Sequence, residues 1–239
     1  MLIKKHKNTS FLIFLMLSAI IFDIDNTLYP SYEFAELARK NAIHAMIRAG
    51  LDISESELER ELKKVIRERG SNYPNHFDDV LKKFEIKNRA KFVAAAVAAY
   101  HDTKITILPF PEVPRLLLDL RDKGVKLYVA SEGLEVKQWD KLIRLQIAQY
   151  FEEVFVVKTE EGGKTVSFFK QLAKKINARP EDCLMVGDRE DKDIIPAKKA
   201  GFKTFRVFRG PYSKNKKTSA DFCGKDLTAL VKIVKKPSP

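Results

Sequence analysis

The sequence predicts an α/β protein with a doubly wound, Rossmann-like, mostly parallel sheet, interrupted once by an all-helical insertion. Two observations carry this reading. Short continuous apolar runs recur along the chain, and each is followed by a helical pattern, the alternation expected of strand–helix–strand units. Between the first and second runs that rhythm stops from residue 31 to residue 108.

The first run, Ala19–Asp25, is apolar until it ends in two acids, as a strand buried on both faces would be. Similar runs follow at Val125–Ala130, Val154–Val157, Cys183–Val186 and Thr204–Phe208. Among the helices, Pro111–Lys123 carries Val113, Leu116, Leu117 and Leu120 at helical spacing and stops at Gly124, a candidate C′ glycine. Thr165–Ile176 and Lys192–Ala200 have the same pattern, the latter ending at Gly201. In the insertion, Ser31–Gly50 is amphipathic through Phe34, Leu37, Ala38, Ala45 and Met46. Ser54 is placed to cap a helix over Glu55–Arg69, with Glu57 completing a capping box. Lys91–Tyr100 is alanine-rich and strongly helix-prone. The expected organisation is a core made of 16–30 and 109–239 with a helical segment over 31–108.

Composition narrows the function classes. The chain has 239 residues, 45% of them hydrophobic, which suits one catalytic domain with a smaller insert and excludes wholesale disorder. A net charge of +12 favours anionic partners. The lysines are scattered, however, with local clusters only at Lys4–Lys7 and Lys214–Lys217, so most of the charge reads as solvated helix faces. Cys183 and Cys223 form no metal or redox spacing, and Cys183 reads as a buried hydrophobe in a reducing cytosol. A charged fraction of 32% leans toward heat-stable proteins.

Lys4, Lys5 and Lys7 precede an apolar run from Phe11 to Phe22 that superficially resembles a signal peptide. The run is short for a membrane span, which needs about 20 residues. It also leads directly into Asp23 and Asp25, and cleavage after Ala19 would remove half of the first strand. The reading adopted is that Met16 is the natural start, residues 1–15 are an extension, and the protein is cytoplasmic with no membrane role.

In parallel α/β sheets, ligands bind beyond the carboxyl ends of the strands. The polar residues just after the apolar runs are Asp23, Asp25 and Thr27, then Ser131, then Asp188 with Asp193, while Lys164 precedes a helix. Each has a plainer reading. An Asp-x-Asp pair is common, Ser131 could cap a helix over Gly133–Leu145, Lys164 could be a surface lysine, and Gly187-Asp188 could be an ordinary turn. Two acids ending a buried strand would be costly without a partner, and that favours a metal site.

As a set, these residues resemble the motifs of the haloacid dehalogenase superfamily. Asp23-Ile24-Asp25-Asn26-Thr27-Leu28 is similar to its first motif and Val129-Ala130-Ser131 to its second. Lys164 is similar to the third-motif lysine, and Gly187-Asp188 with Asp193 to the fourth. The helical segment over 31–108 corresponds to the cap inserted between the first two motifs. Two positions depart from the pattern. Thr165 follows Lys164 where many relatives have proline, which keeps Lys158 as a second candidate, and Glu132-Gly133 stands for the commoner Asn-Gly.

The resemblance implies a Mg²⁺-dependent phosphatase acting on a small phosphorylated metabolite such as a sugar or triose phosphate or a nucleotide. Asp23 would be the nucleophile and Asp25 the acid and then the base. Mg²⁺ would be held by Asp23, the Asp25 carbonyl and Asp188, with Asp193 supporting the metal shell. Ser131 and Lys164 would bind phosphate oxygens, and Thr27 would fix the loop that aims Asp25 and border the phosphate. Asp25 argues against dehalogenation, because a halide leaves without a proton. In the cap, the polar turn Ser71–His76 offers Tyr73 and His76 as substrate contacts. Alternatives are a phosphomutase of the same fold, a receiver-type phosphoacceptor module, and a basic nucleic-acid binder, for which no stacking or groove-reading motif is present. A monomer or homodimer is expected.

Overall fold

The computed structural model of the protein describes residues 17–71, 73–158 and 162–234. Met16, proposed above as the start, and Asn72 of the polar turn lie outside the described residues. Six strands form one parallel sheet: β1 (Ala19–Phe22), β2 (Lys126–Glu132), β3 (Glu153–Val157), β4 (Cys183–Gly187), β5 (Lys203–Val207) and β6 (Phe222–Gly224), in the order β3-β2-β1-β4-β5-β6. Every pairing is parallel. Ile21 sits opposite Tyr128 on one side and Met185 on the other. Strand β1 is therefore central, and strand order reverses around it.

The connecting helices are α5 (Val113–Asp122), α6 (Glu135–Arg144), α7 (Val166–Lys175), α8 (Ile195–Lys199) and α9 (Ala229–Ile233). Side chains alternate across the central strands. Ala19 and Ile21 pack in a cluster with Ala130, Met185, Phe169 and Leu172, so α7 covers that face. Ile20 and Phe22 point the other way and are equally buried, as are Leu116, Leu117 and Leu120 of α5. Burying such side chains contributes about 1.5–3 kcal/mol each, and a sheet buried on both faces explains the continuous apolar runs.

The structure departs from the sequence reading in four places. Strand β2 runs on to Glu132, so Ser131 lies inside the strand, paired with Val156. Helix α6 then begins at Glu135 behind Leu134, with no side-chain cap, which removes the capping reading of Ser131. The expected helix over Lys192–Ala200 is split into a π-helical turn, Glu190–Ile194, followed by α8. Pro196 is the reason, because it lacks a donor and its ring crowds the carbonyl four residues earlier. Strand β6 has only three residues, too few for any period to be read.

Residues Glu33–Ile107 form a second compact unit, and the first comprises, among the described residues, 17–32 with 108–234. The second unit contains most of α1 (Ser31–Arg48) together with α2 (Glu55–Arg69), α3 (His76–Lys83) and α4 (Arg89–Lys104). Its core joins Ile43, Met46, Leu58, Leu62, Val65, Leu81 and Ala96. Ser54 caps α2 with the full reciprocal box to Glu57. Among the described residues, no helix is long and apolar enough to cross a membrane.

Candidate active site

The carboxyl end of β1 is the switch point of the sheet, and its chain continues straight into Asp23, whose N–H donates to the Val186 carbonyl at 2.9 Å. A tight turn follows. The N–H groups of Thr27 and Leu28 both donate to the Ile24 carbonyl, and Asn26 takes a left-handed conformation with φ 55°. Asparagine tolerates that region better than most residues. The turn sends Asp23 and Asp25 out of the sheet end on separate paths.

Asp23 meets a buried lysine. Lys164 Nζ lies 2.6 Å from Asp23 Oδ1, 2.5 Å from Asp193 Oδ1 and 3.3 Å from the Ala130 carbonyl. Its side chain is only 3% exposed, so Lys164 is not a surface lysine. Lys158, the second candidate, lies exposed at the end of β3. Carboxylate oxygens of Asp23, Asp188 and Asp193 all lie within 4.8 Å of one another. Asp188 Oδ2 is buried and has no hydrogen-bond partner. Asp193 Oδ2 accepts from the Arg189 N–H at 3.0 Å.

Burial pushes the Asp188 carboxyl up to about 9, helped by the charges of Asp193 and Asp23. The same burial pushes Asp23 up to about 7, although Lys164 pulls against it. Lys164 is shifted upward: burial opposes its charge, but Asp193 and Asp23 more than compensate. Asp25 goes the other way. Burial works to raise it, yet the ammonium of Lys141 and the hydrogen bonds from Lys141 and Tyr29 hold it below the usual carboxylate value. Among the described residues, four carboxyl groups crowd two ammonium groups, Lys164 and Lys141, and with all four ionised the negative charge would exceed the positive by two. That excess, the unpartnered Asp188 oxygen and the all-oxygen donor set fit a hard divalent cation.

Ser131 is buried at the end of β2, one residue beyond the carbonyl that Lys164 reaches. Thr27 is fully buried, its hydroxyl has no partner, and its carbonyl accepts from Arg209. Tyr73 and His76 are engaged within the helical unit. Tyr73 donates to Asp79 at 2.8 Å, His76 Nε2 lies 2.9 Å from the Gly70 carbonyl, and the two rings meet edge to face.

The sequence reading missed three residues around the site and the side-chain role of a fourth, Glu132. Glu132 Oε1 accepts from the Lys164 N–H at 2.9 Å and faces Lys192 Nζ at 3.3 Å, so its side chain ties the Lys164 loop to β2. Arg206, 2% exposed, donates from Nε to the Asp188 carbonyl at 3.0 Å and pairs with Glu190. Lys141 donates to both oxygens of Asp25, and Gln138 supports Lys141. The available signal was a charged or polar residue at a core position: Arg206 sits inside an apolar strand, and Gln138 lies one helical turn before the buried Leu142.

Residues 17–201 match the family described as haloacid dehalogenase-like hydrolase. The chain belongs to the haloacid dehalogenase-like hydrolases. It is also 50% identical over 202 residues to a glyceraldehyde 3-phosphate phosphatase of Methanopyrus kandleri, covering 82% of this chain and 86% of that one. A second protein of that name, from Methanocaldococcus jannaschii, is 41% identical over 92% of this chain and 98% of its own. At this level of identity the chain is a phosphoric monoester hydrolase of the haloacid dehalogenase-like family, which sets aside the receiver-module reading. A phosphatase structure from Thermococcus onnurineus superposes with a TM-score of 0.63 at 22% identity, over 91% of this chain and 97% of that one; at that identity it speaks for the fold alone.

Proposed function

We propose that this phosphatase cleaves a small phosphate monoester by transferring the phosphoryl group to Asp23 and then to water, with glyceraldehyde 3-phosphate as the first substrate to test. The observation that carries the reading is Asp23 at the sheet's switch point, paired at 2.6 Å with the buried Lys164. The substrate suggestion rests on the relatives named above.

The carboxylates of Asp23 and Asp188, with the Asp25 carbonyl and support from Asp193, fit Mg²⁺. When bound, Mg²⁺ supplies positive charge that offsets both the carboxylate excess and the incoming phosphate. Lys164 favours the ionised form of Asp23 against the effect of burial and, with Ser131, binds phosphate oxygens. An Asp23 oxygen attacks phosphorus in line, its new bond forming as the bond to the ester oxygen breaks. Lys141 and Tyr29 hold Asp25 ionised before substrate binds. As the phosphate brings its negative charge beside it, Asp25 takes up a proton from solvent and gives that proton to the leaving oxygen, which departs as the alcohol. The Asp25 carboxylate then takes a proton from the water that attacks the aspartyl-phosphate, releasing inorganic phosphate and restoring Asp23. Thr27, whose N–H closes the turn around Asp25 by donating to the Ile24 carbonyl, fixes the loop that aims Asp25.

The helical unit is proposed to act as a cap that screens the reacting phosphate from bulk water. The test is a Mg²⁺-dependent screen of phosphorylated metabolites with Asp23→Asn alongside. The variant is expected to lose roughly four to six orders of magnitude in kcat, the scale on which loss of a nucleophile acts. Chelation by EDTA should abolish turnover. Wild-type turnover by Asp23→Asn, or full activity in EDTA, overturns the reading.

A further inference from the structure

We propose that Lys141, braced by Gln138, is a positioning residue for the Asp25 carboxyl, and that it aims this group at the leaving oxygen, to which Asp25 passes a proton once the arriving phosphate has raised its proton affinity. The inference rests on the role given to Asp25 above and deepens it.

Lys141 comes from the middle of α6 and reaches across to the turn after β1. Its Nζ lies 2.8 Å from Asp25 Oδ1 and 2.7 Å from Oδ2, so a single ammonium spans both oxygens. Tyr29 adds a third donor, its hydroxyl 2.9 Å from Oδ1. A carboxyl with donors on both oxygens cannot spin freely about its last torsion, and its plane is set. An acid free to rotate would spend much of its time aimed away from the ester oxygen, and small misplacements are costly in catalysis.

Lysine is an unusual choice for this task because its stem is flexible. The structure shows how that flexibility is removed. The Lys141 side chain is only 17% exposed, against 39% for Asp25. Gln138, one turn earlier on α6 and 4% exposed, accepts from Lys141 Nζ at 3.0 Å through Oε1. Its Nε2 donates to the Glu132 carbonyl at 3.0 Å. Gly133 makes that bond possible. Its φ is 127°, and a Cβ there would come within 2.8 Å of Gln138 Nε2. The Asp25 carboxyl is thereby referenced, through Lys141 and Gln138, to the end of β2, the strand that carries Ser131.

An exposed lysine–carboxylate pair is a weak device. A pair whose ammonium is largely covered, spans both oxygens and is itself braced is suited to fixing geometry. No step of phosphoryl transfer requires Lys141 to touch the substrate. Its effect passes through Asp25, which makes it separable from Lys164.

The experiment compares kcat/KM, which reports the steps up to phosphorylation of Asp23, for two probes. Glyceraldehyde 3-phosphate has an alkoxide leaving group that needs a proton; p-nitrophenyl phosphate releases a phenolate that leaves without one. With the full chain and saturating Mg²⁺, Lys141→Met should lower kcat/KM for the alkyl ester about 10- to 100-fold more than for the aryl ester, a fraction of what general acid catalysis contributes. Lys141→Arg, which keeps two-oxygen donation, should recover part of that difference. Equal losses on both esters, or none, overturn the proposal.

Asp25→Asn separates the two levels of the argument. If it shows the same selectivity and Lys141→Met does not, the positioning role fails while Asp25 stands. If Asp25→Asn shows no selectivity, the acid assignment itself fails. Should Lys141→Met not fold, judged by circular dichroism, Gln138→Met removes only the brace. It should show the same selectivity at smaller size, and an equal loss on both esters again overturns the proposal.

Discussion

The smallest unit that matters in this protein is one buried ammonium. Lys164 stands between Asp23 and Asp193 at 2.6 and 2.5 Å, with Asp188 close behind. Removing one partner of a buried charge group costs far more than the pair contributes, because the charges left behind are uncompensated. Lys164→Met is therefore expected to destabilise the metal-free protein by about 3–5 kcal/mol, measured by urea unfolding. A divalent cation should restore much of the loss if the three carboxylates bind it. A variant as stable as wild type without metal would show that the ammonium does not neutralise the cluster. The motif spacing made Lys164 visible in the sequence but not its burial: a lysine in a glycine-containing loop looks solvated until the loop is folded over a strand end.

Elements place these residues, and they do so at strand ends. Strand β4 ends in Gly187, which has no side chain because the Asp193 carboxyl occupies the space where a Cβ would be. Asp193 comes there on the π-helical turn that Pro196 imposes, held by the Arg189 N–H. Gly187→Ala must push Asp193 aside, and outer-shell displacement of this kind typically lowers metal affinity about 10- to 100-fold. Titration of Mg²⁺ against the melting temperature will read it; an unchanged affinity would remove Asp193 from the proposed metal site. The helical periods, the Ser54 capping box and most strand runs were legible because each depends on neighbours in sequence. The split helix at 190–199 and the end of β2 were misread by a few residues, because pairing with Val156 and the missing donor of Pro196 act at the margins, where local preference is weakest.

At the scale of the whole molecule, the site sets how stability depends on pH. Asp23 and Asp188 are raised from the ordinary carboxylate value of 3.8 to about 7 and about 9. Between the unfolded and folded values the native state binds more protons than the unfolded chain. The stability these two groups contribute is thus fully present below about pH 4 and is lost as pH rises through 7 and then 9. Asp25, held low by Lys141, acts oppositely: its contribution is present above the ordinary value and is lost as pH falls through its lowered one. The metal-free protein should therefore melt at progressively lower temperature from about pH 5 to about pH 9. Saturating Mg²⁺ should flatten that slope, because the bound ion requires ionised ligands. A melting temperature that stays level or rises over this range without metal would contradict the assignment.

The sequence by itself determined the fold class and the family resemblance, and it supplied Asp23, Asp25, Thr27, Ser131, Lys164, Asp188 and Asp193 as the candidate set. Strand burial, helical period and motif order are written along the chain, and a parallel sheet gathers its strand ends at one edge. What only the tertiary structure decided is how those residues are held. Lys141 and Asp25 are 116 positions apart, Glu132 and Lys164 are 32 apart, and Arg206 reaches back to Asp188 from the next strand. Such contacts leave no period in the sequence, since they depend on where a helix or loop comes to rest after the core has packed. Asp23 and Lys164 could both be found by reading the chain; their contact and the clamp on Asp25 became visible only when the sheet was assembled.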